Sequence, residues 1–553
     1  MAWGLLAVFA AACSDASSDA PGTTPPVVTP PDPTPDGGNP TTDGGADAPV
    51  PCDKTPEECA ALWEENASNK YDAAMKTPAD RKAFLKAVPK GGDLHNHLSG
   101  AVYAETFLGW GKADNDCINT TTYAAAFGNA CNAGTTQPVP TSGDFYDAIV
   151  RAWSMKDFVP GGAETGRDHF FATFGKFGSI AGFHRDDSIA DLAKRAADEN
   201  QVYVETMFNL GKNIATLTGT LSTGTVTADG LPALYDAVVG DSTFAAKLAS
   251  DVAVVTSAGT GYKTALGCGS SSEPAACKVG VRFVAQIART GANDEIFGQM
   301  ISAFEMASKT PLIVAANLSS PEDDTRSLGN YALHMAMLDF LYQKYTATKT
   351  SPLHVTLHAG ELVPKYLPPA YPNANTFHIR QAVEVGHAER IGHGLDVLSE
   401  TDSQQLLDSL KTKNVLVEIC LSSNDQILEV AGTNHPLAEY MKKGVAVSLA
   451  TDDQGVSRSS LAGEYERAAL DQKLTYRQLK TMARQSLEHA FLPGASMWSS
   501  VSDAKPVDAC ARTATMGLGD TPNATCKTLL DTSERATKQW ELERRFLAFE
   551  SRQ

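Results

Sequence analysis

From residue 93 onward, short apolar, β-branched runs alternate with longer stretches in which apolar side chains recur at helical spacing. The runs fall at 93–98, 202–208, 280–288, 311–318, 353–358, 390–392, 415–420 and 445–450. The helical stretches fall at 188–199, 295–307, 330–345, 377–385, 402–412, 461–469 and 475–489. Strand-length runs that alternate with amphipathic segments are the pattern of β-α units feeding a parallel sheet. Such units predict either a closed parallel barrel or a doubly wound sheet. A simple barrel needs roughly 250 residues. The excess is assigned to an insertion between the first two runs (about residues 99–200), to Gly/Ser-rich loops and to terminal helices. Residues 56–88 read as an N-terminal helical extension with a cap at Thr77-Pro78-Ala79-Asp80, and residues 534–550 as a charged amphipathic helix on the exterior. The globular region is therefore expected to span 89–553, preceded by that extension.

The chain opens in another style. Its first residues, MAWGLLAVFAAAC, hold an apolar run too short to span a bilayer, ending in small residues before Cys13. The segment resembles a bacterial lipoprotein signal, although neither Lys nor Arg precedes the apolar run. Residues 1–13 are accordingly expected to be a signal peptide and lipobox, with Cys13 lipidated. Residues 14–55 are rich in Pro, Gly, Thr and Asp, with too few apolar side chains to offset their ordering entropy, and read as a disordered tether. A tethered domain of this kind belongs in the bacterial cell envelope, periplasmic or cell-surface. Ser14, where an aspartate would favour inner-membrane retention, directs the expectation to the outer membrane.

Composition adds two constraints. The 553 residues carry a net charge of −19, which disfavours nucleic-acid backbones and anionic membrane surfaces as partners. Membrane contact is thus expected only through the N-terminal anchor. Part of the charge lies in the tether, at Asp15, Asp19, Asp32, Asp36, Asp43 and Asp47. Eight of the 10 cysteines fall into sequence-local pairs in loop-like surroundings: Cys52/Cys59, Cys117/Cys131, Cys268/Cys277 and Cys510/Cys526. These are expected as loop-stapling disulfides of an exported protein, although spacing alone does not fix connectivity. Cys420, in NVLVEIC, reads as a buried free thiol.

The candidate chemistry sits at the ends of the runs. In GGDLHNHLSG, His95 and His97 point to the same side of a strand because the side-chain period is two. LHVTLHAGE closes its run with His358 and places Glu361 in the following loop; ERIGHGLD contributes His393; VAVSLATDD contributes Asp452 and Asp453. In a barrel these C-terminal strand ends meet around one mouth. Three imidazoles and a carboxylate suit a borderline-soft ion such as zinc and leave room for a water that the ion activates.

The ordered motifs His-x-His, His-Ala-Gly-Glu, Gly-His-Gly and Thr-Asp-Asp resemble the adenosine/AMP deaminase family of the metal-dependent amidohydrolase superfamily, over about residues 85–495. The resemblance implies a (β/α)8 TIM barrel. It implies one Zn2+ held by His95, His97, His358 and Asp452, with Glu361 protonating purine N1. His393 would orient the activated water and help take its proton, Asp453 would meet N7, and Gly360 would let the backbone approach the substrate. The implied reaction is hydrolytic deamination of adenosine or 2′-deoxyadenosine to inosine and ammonia, with a small purine nucleoside as partner and either a monomer or a homodimer as the assembly. Two substrate-contact positions depart from the family. Ser99 stands where many members have an aspartate that contacts the ribose, and Ser320, in NLSSPE, stands near a glycine whose N–H meets N3. Leu395 and Asp396 also depart from the family's common continuation. The run containing LIVAANLSS lacks the lysine that bridges two metals in relatives, which implies a mononuclear site. Another purine, a cyclic amidine or an amide remains an alternative substrate, and an inactive binding protein a further alternative.

Secondary expectations concern residues outside these motifs. Glu205 orders a loop or the metal ligands; Arg289 orders loops. His169, Phe170, Phe171, Phe174 and Phe177 form a lid over an aromatic substrate or pack a helix. His354, His387, His435 and His489 read as structural, and Trp498 and Trp540 as packing residues.

Overall fold

Eight parallel strands make one sheet whose hydrogen-bonded order follows the chain: β1 (Gly92–His97), β2 (Tyr203–Asn209), β3 (Gly280–Ala288), β4 (Ile313–Ser319), β5 (His354–Ala359), β6 (Arg390–His393), β7 (Leu416–Ile419) and β8 (Ala446–Leu449). The computed structural model describes residues 50–128, 131–162, 164–346, 348, 351–513 and 516–553. The expected signal segment, Cys13 and residues 14–49 of the expected tether lie outside these described residues.

The sheet closes on itself. Past the end of β8, the Asp452 N–H donates to the His95 carbonyl at 2.8 Å, and the His97 N–H donates to the Asp452 carbonyl at 3.2 Å. The Thr451 hydroxyl also donates to Asp93 Oδ2 at 2.6 Å. A doubly wound sheet would reverse its strand order and keep two edges. Here the eighth strand returns to the first, and the molecule is a (β/α)8 barrel. Strands covered by helices outside and packed side chains inside are buried on both faces, and β4 and β7 are buried at every position, their polar residues Asn317 and Glu418 included.

Helices Arg185–Asp198, Asn293–Ala307, Thr325–Thr346, His378–Glu384, Ser403–Thr412, Leu437–Lys443 and Tyr476–Glu488 cover the barrel between and after the strands. Three more, Lys212–Leu221, Leu231–Gly240 and Phe244–Leu266, fill the β2–β3 connection. The N-terminal extension forms helices Pro56–Ala74 and Pro78–Ala87, the second capped by the Thr77 side chain accepting from the Asp80 N–H. The chain is tied to the globular body from Val50, earlier than the boundary read from composition, through its N–H to the Ser551 carbonyl. Helix Glu534–Glu550 lies outside the barrel against helix Tyr476–Glu488, held by a two-pronged Arg484–Glu543 pair at 2.7 Å and by Lys480–Glu550 at 2.6 Å. Disulfides join Cys52–Cys59, Cys117–Cys131, Cys268–Cys277 and Cys510–Cys526, and Cys420 is a buried free thiol. Among the described residues no helix is long and apolar enough to cross a membrane.

The insertion after β1 has its own apolar core of Phe107, Trp153, Phe170 and Phe177, which continues onto Leu395, Ile427, Leu428 and Val456 in the loops beyond β6, β7 and β8. It therefore sits over part of the barrel mouth. The aromatic cluster packs this core: Phe177 stacks on Phe107, while His169 Nε2 lies 3.1 Å from the Ser154 carbonyl. These rings hold the insertion together.

Candidate active site

The mouth collects four groups from three places along the chain. His95 and His97 come from β1, His358 from β5, and Asp452 from the turn after β8. His95 Nε2 and His97 Nε2 each lie 3.1 Å from His358 Nε2, and Asp452 Oδ1 stands 3.3 Å from His97 Nε2 and 3.7 Å from His95 Nε2. All four ligand atoms lie within 4.8 Å of one another, and all four residues are buried.

What surrounds the rings decides their state. His95 Nδ1 faces Glu418 Oε2 at 2.6 Å, His97 Nδ1 faces Gln286 Oε1 at 3.2 Å, and His358 Nδ1 faces Asn317 Oδ1 at 2.7 Å. Each partner oxygen accepts, so each ring carries its proton on Nδ1 and turns the Nε2 lone pair inward. Three lone pairs and a carboxylate aimed at one point repel unless a cation lies among them. The donor set is the kind that a borderline-soft divalent ion takes. Burial first, and then the crowding of the His95 and His97 imidazoles against it, push His358 well below the usual imidazole range, which favours the neutral ring that metal binding requires. Burial draws His95 the same way, but the contact and charge of Glu418 outweigh it and raise it.

Glu418 is itself anchored. Arg390 Nε donates to Glu418 Oε1 at 2.6 Å, and the same guanidinium donates to Glu205 Oε2 at 2.6 Å. Glu205 thus reaches His95 through Arg390 and Glu418. Glu418, Gln286 and Asn317 escaped the sequence reading. Their signal was a polar residue inside an apolar run: VLVEI, FVAQI and VAANL. Replacing Glu418 with glutamine should weaken binding of a divalent ion about 10–100-fold, the usual cost of losing a partner behind a ligand. A zinc titration of the two proteins checks this, and equal affinities would remove Glu418 from the role.

Glu361 is placed by its own backbone. The Gly360 and Glu361 N–H groups donate to the two oxygens of Glu322 at 3.1 and 2.9 Å, and His378 Nδ1 holds Glu322 Oε1 at 2.6 Å. Gly360 has φ +76°, and a Cβ there would fall 2.4 Å from Asp396 Oδ1, so the turn admits only glycine comfortably. Burial first, and then the Asp452 charge, push Glu361 well above the usual carboxylate range. Asp453 is driven up in the same way, by burial and then by Asp452 and Glu361. Its Oδ1 sits against Gly100, where a Cβ would be 2.0 Å away.

His393 follows with φ +68°, its Nε2 standing 3.8 Å from Glu361 Oε1. Burial and His95 push it down to about 3. Ser320 lies at the end of β4, half-buried, with φ +81°, a region that costs a non-glycine residue roughly 1–2 kcal/mol. Arg289 explains how it is held: Nε donates to the Ser320 carbonyl at 2.8 Å and a terminal nitrogen to the His358 carbonyl at 3.1 Å. Ser99 is exposed on the short helix Leu98–Ala101, just beyond His97.

A barrel with an imidazole–carboxylate cluster and a neighbouring raised carboxyl invites comparison with known proteins. Residues 259–501 match the adenosine deaminase family model. That span holds His358, Glu361, His393, Asp452 and Asp453; His95 and His97 lie before it and reach the site through β1. The chain is 33% identical over 145 residues to the adenosine deaminase of Plasmodium knowlesi, covering 26% of this chain and 37% of that protein. It is 35% identical over 155 residues to the adenosine deaminase of Aliivibrio fischeri (strain ATCC 700601 / ES114), covering 28% and 42%. The chain thus spans about two fifths of the length of these curated adenosine deaminases. Among solved structures, it aligns with adenine deaminase from Arthrobacter aurescens at 18% identity and TM-score 0.45, covering 73% of this chain and 94% of that one. It aligns with arabidopsis N6-mAMP deaminase at 19% identity and TM-score 0.46, covering 74% and 95%.

Proposed function

We propose that this chain hydrolytically deaminates adenosine to inosine, or 2′-deoxyadenosine to 2′-deoxyinosine, with release of ammonia and with one Zn2+ held by His95, His97, His358 and Asp452. The carrying observation is a buried carboxyl, Glu361, pushed above the usual carboxylate range by burial and the Asp452 charge, beside a cluster of three inward-facing imidazole nitrogens and a carboxylate. When bound, the ion supplies Lewis acidity that lowers the pKa of a water toward neutrality. The carbon that carries the amine in an aminopurine is a poor electrophile until the adjacent ring nitrogen is protonated. Glu361, raised by burial and with its backbone held by the Glu322 clamp, is the group to supply that proton. Asp453, raised as well, offers a hydrogen bond to a second ring nitrogen. The insertion that sits over part of the mouth limits water there, which strengthens each of these polar contacts.

The departures at Ser99 and Ser320 favour testing more than one purine. Zinc-loaded protein incubated with adenosine, 2′-deoxyadenosine, adenine, N6-substituted adenosines and AMP is expected to release ammonia one for one with inosine from the first and with 2′-deoxyinosine from the second. Turnover confined to another member would move the substrate assignment and leave the chemistry standing; no ammonia from any of them would overturn the reading. The four disulfides support an oxidising compartment, in line with the envelope location expected from residues 1–13. Recovery of the mature protein from the cytosol on cell fractionation would contradict that placement.

A further inference from the structure

Four histidines meet at the barrel mouth, and three of them share one ring state while the fourth is wired the other way. His95, His97 and His358 each set Nδ1 against an oxygen, whereas His393 sets Nδ1 against an amide nitrogen, Asn424 Nδ2, at 2.9 Å. We propose that Asn424 and His435 fix the ring of His393 so that it presents a hydrogen at Nε2 to the reacting oxygen, and not a lone pair.

The direction of the wiring starts at a backbone group whose role is not negotiable. The Leu437 N–H can only donate, and it lies 3.1 Å from His435 Nδ1. An imidazole that accepts at Nδ1 is neutral, so its hydrogen is on Nε2. That hydrogen is donated to Asn424 Oδ1 at 3.1 Å. With its oxygen so used, Asn424 turns its NH2 toward His393, whose Nδ1 therefore accepts. The His393 ring is then neutral as well, and its one hydrogen sits on Nε2. His435, Asn424 and His393 are all buried, so water does not compete along the line. His393 Nε2 is itself buried and, among the described residues, has no hydrogen-bond partner.

This polarity separates the fourth histidine from the other three. Three rings offer lone pairs to a cation; the fourth offers a donor beside it, although His393 also groups closely with His95 and Cys420. A fixed donor at that place would stabilise the negative charge that grows on the oxygen as it adds to the purine carbon. It would not serve as the acceptor of that oxygen's proton. His435, which the sequence marks as structural, becomes a positioning residue two hydrogen bonds away from the site. The inference rests on the deaminase reading for its consequence, and on hydrogen-bond direction alone for the ring state.

The test uses zinc-loaded protein labelled with 15N histidine, with His393→Gln to identify the His393 signals. Wild type is expected to show a bare Nδ1 and a protonated Nε2 at His393. Asn424→Asp keeps the shape and still accepts from His435, but it replaces the donor facing His393 with an acceptor. It should place a hydrogen on Nδ1 and lower kcat about 10²–10³-fold, the typical cost of one preorganised donor, with KM little changed. His435→Gln retains a donor toward Asn424 and should keep both the ring state and most of kcat. A wild-type spectrum with His393 protonated at Nδ1 would overturn the proposal, and so would an Asn424→Asp protein with unaltered His393 signals and kcat. The wild-type spectrum decides the ring state even if Asn424→Asp fails to fold. A protein with the expected spectrum but no purine turnover would refute the deaminase reading instead.

Discussion

Replacing Glu361 with glutamine is expected to leave the fold and the metal content unchanged while kcat falls about 10²–10⁴-fold, the range for a positioned general acid. Glutamine has nearly the same shape, and the clamp from Glu322 binds the backbone N–H groups of residues 360 and 361 and leaves the side chain free. Glu361 is not among the four converging ligands, so the ion has no reason to leave. What is lost is the carboxyl whose proton affinity burial and Asp452 raise. A bound cation opposes part of that upward shift. Parallel measurement of kcat and zinc stoichiometry separates the two effects: full metal with unchanged kcat would remove Glu361 from the chemistry.

Stripping the ion with a chelator is expected to abolish turnover completely and to lower the melting temperature, with zinc restoring both. His95, His97 and His358 bring their Nε2 atoms within hydrogen-bond distance with no hydrogen between them, a repulsive arrangement without a cation. Binding to the folded state alone stabilises it by about 2.7 kcal/mol when free zinc is a hundred times Kd. Calorimetric melts of chelated and reloaded protein check this. Identical melting curves with retained turnover would mean that the cluster is held together by hydrogen bonds alone.

Much of this architecture could be read from the chain because parallel barrel strands are almost wholly apolar and the site residues stand at their ends. His358 is the penultimate residue of β5, and Asp452 follows β8 after two residues of turn. Choosing a barrel over a doubly wound sheet from periodicity alone was not possible, since the closure depends on hydrogen bonds between Asp452 and β1. Helix Phe244–Leu266 was overlooked because Ala, Gly, Thr and Ser dilute its apolar stripe. Its buried positions Leu248, Asp251, Val255, Tyr262 and Leu266 do recur at helical spacing, but one of them is a carboxylate. That Asp251 accepts from the Asn213 N–H and the Ser302 hydroxyl, tying three helices together. Glu418, Asn317 and Gln286 were hidden for a related reason: a polar residue in an apolar run looks like noise until its partner, far away in the chain, is beside it. The aromatic residues of helix Gly166–Phe183 left two readings open in the sequence, since an apolar helix face looks alike whether it meets a substrate or its own subdomain.

X-ray absorption at the zinc edge, on protein loaded with one equivalent of zinc, interrogates the cluster directly. Three imidazoles and a carboxylate predict a shell of nitrogen and oxygen scatterers at about 2.0–2.2 Å, with imidazole multiple scattering and no sulfur. A sulfur scatterer at about 2.3 Å, the mark of Cys420 joining His95 and His393, or a shell of oxygens without imidazole, would contradict it.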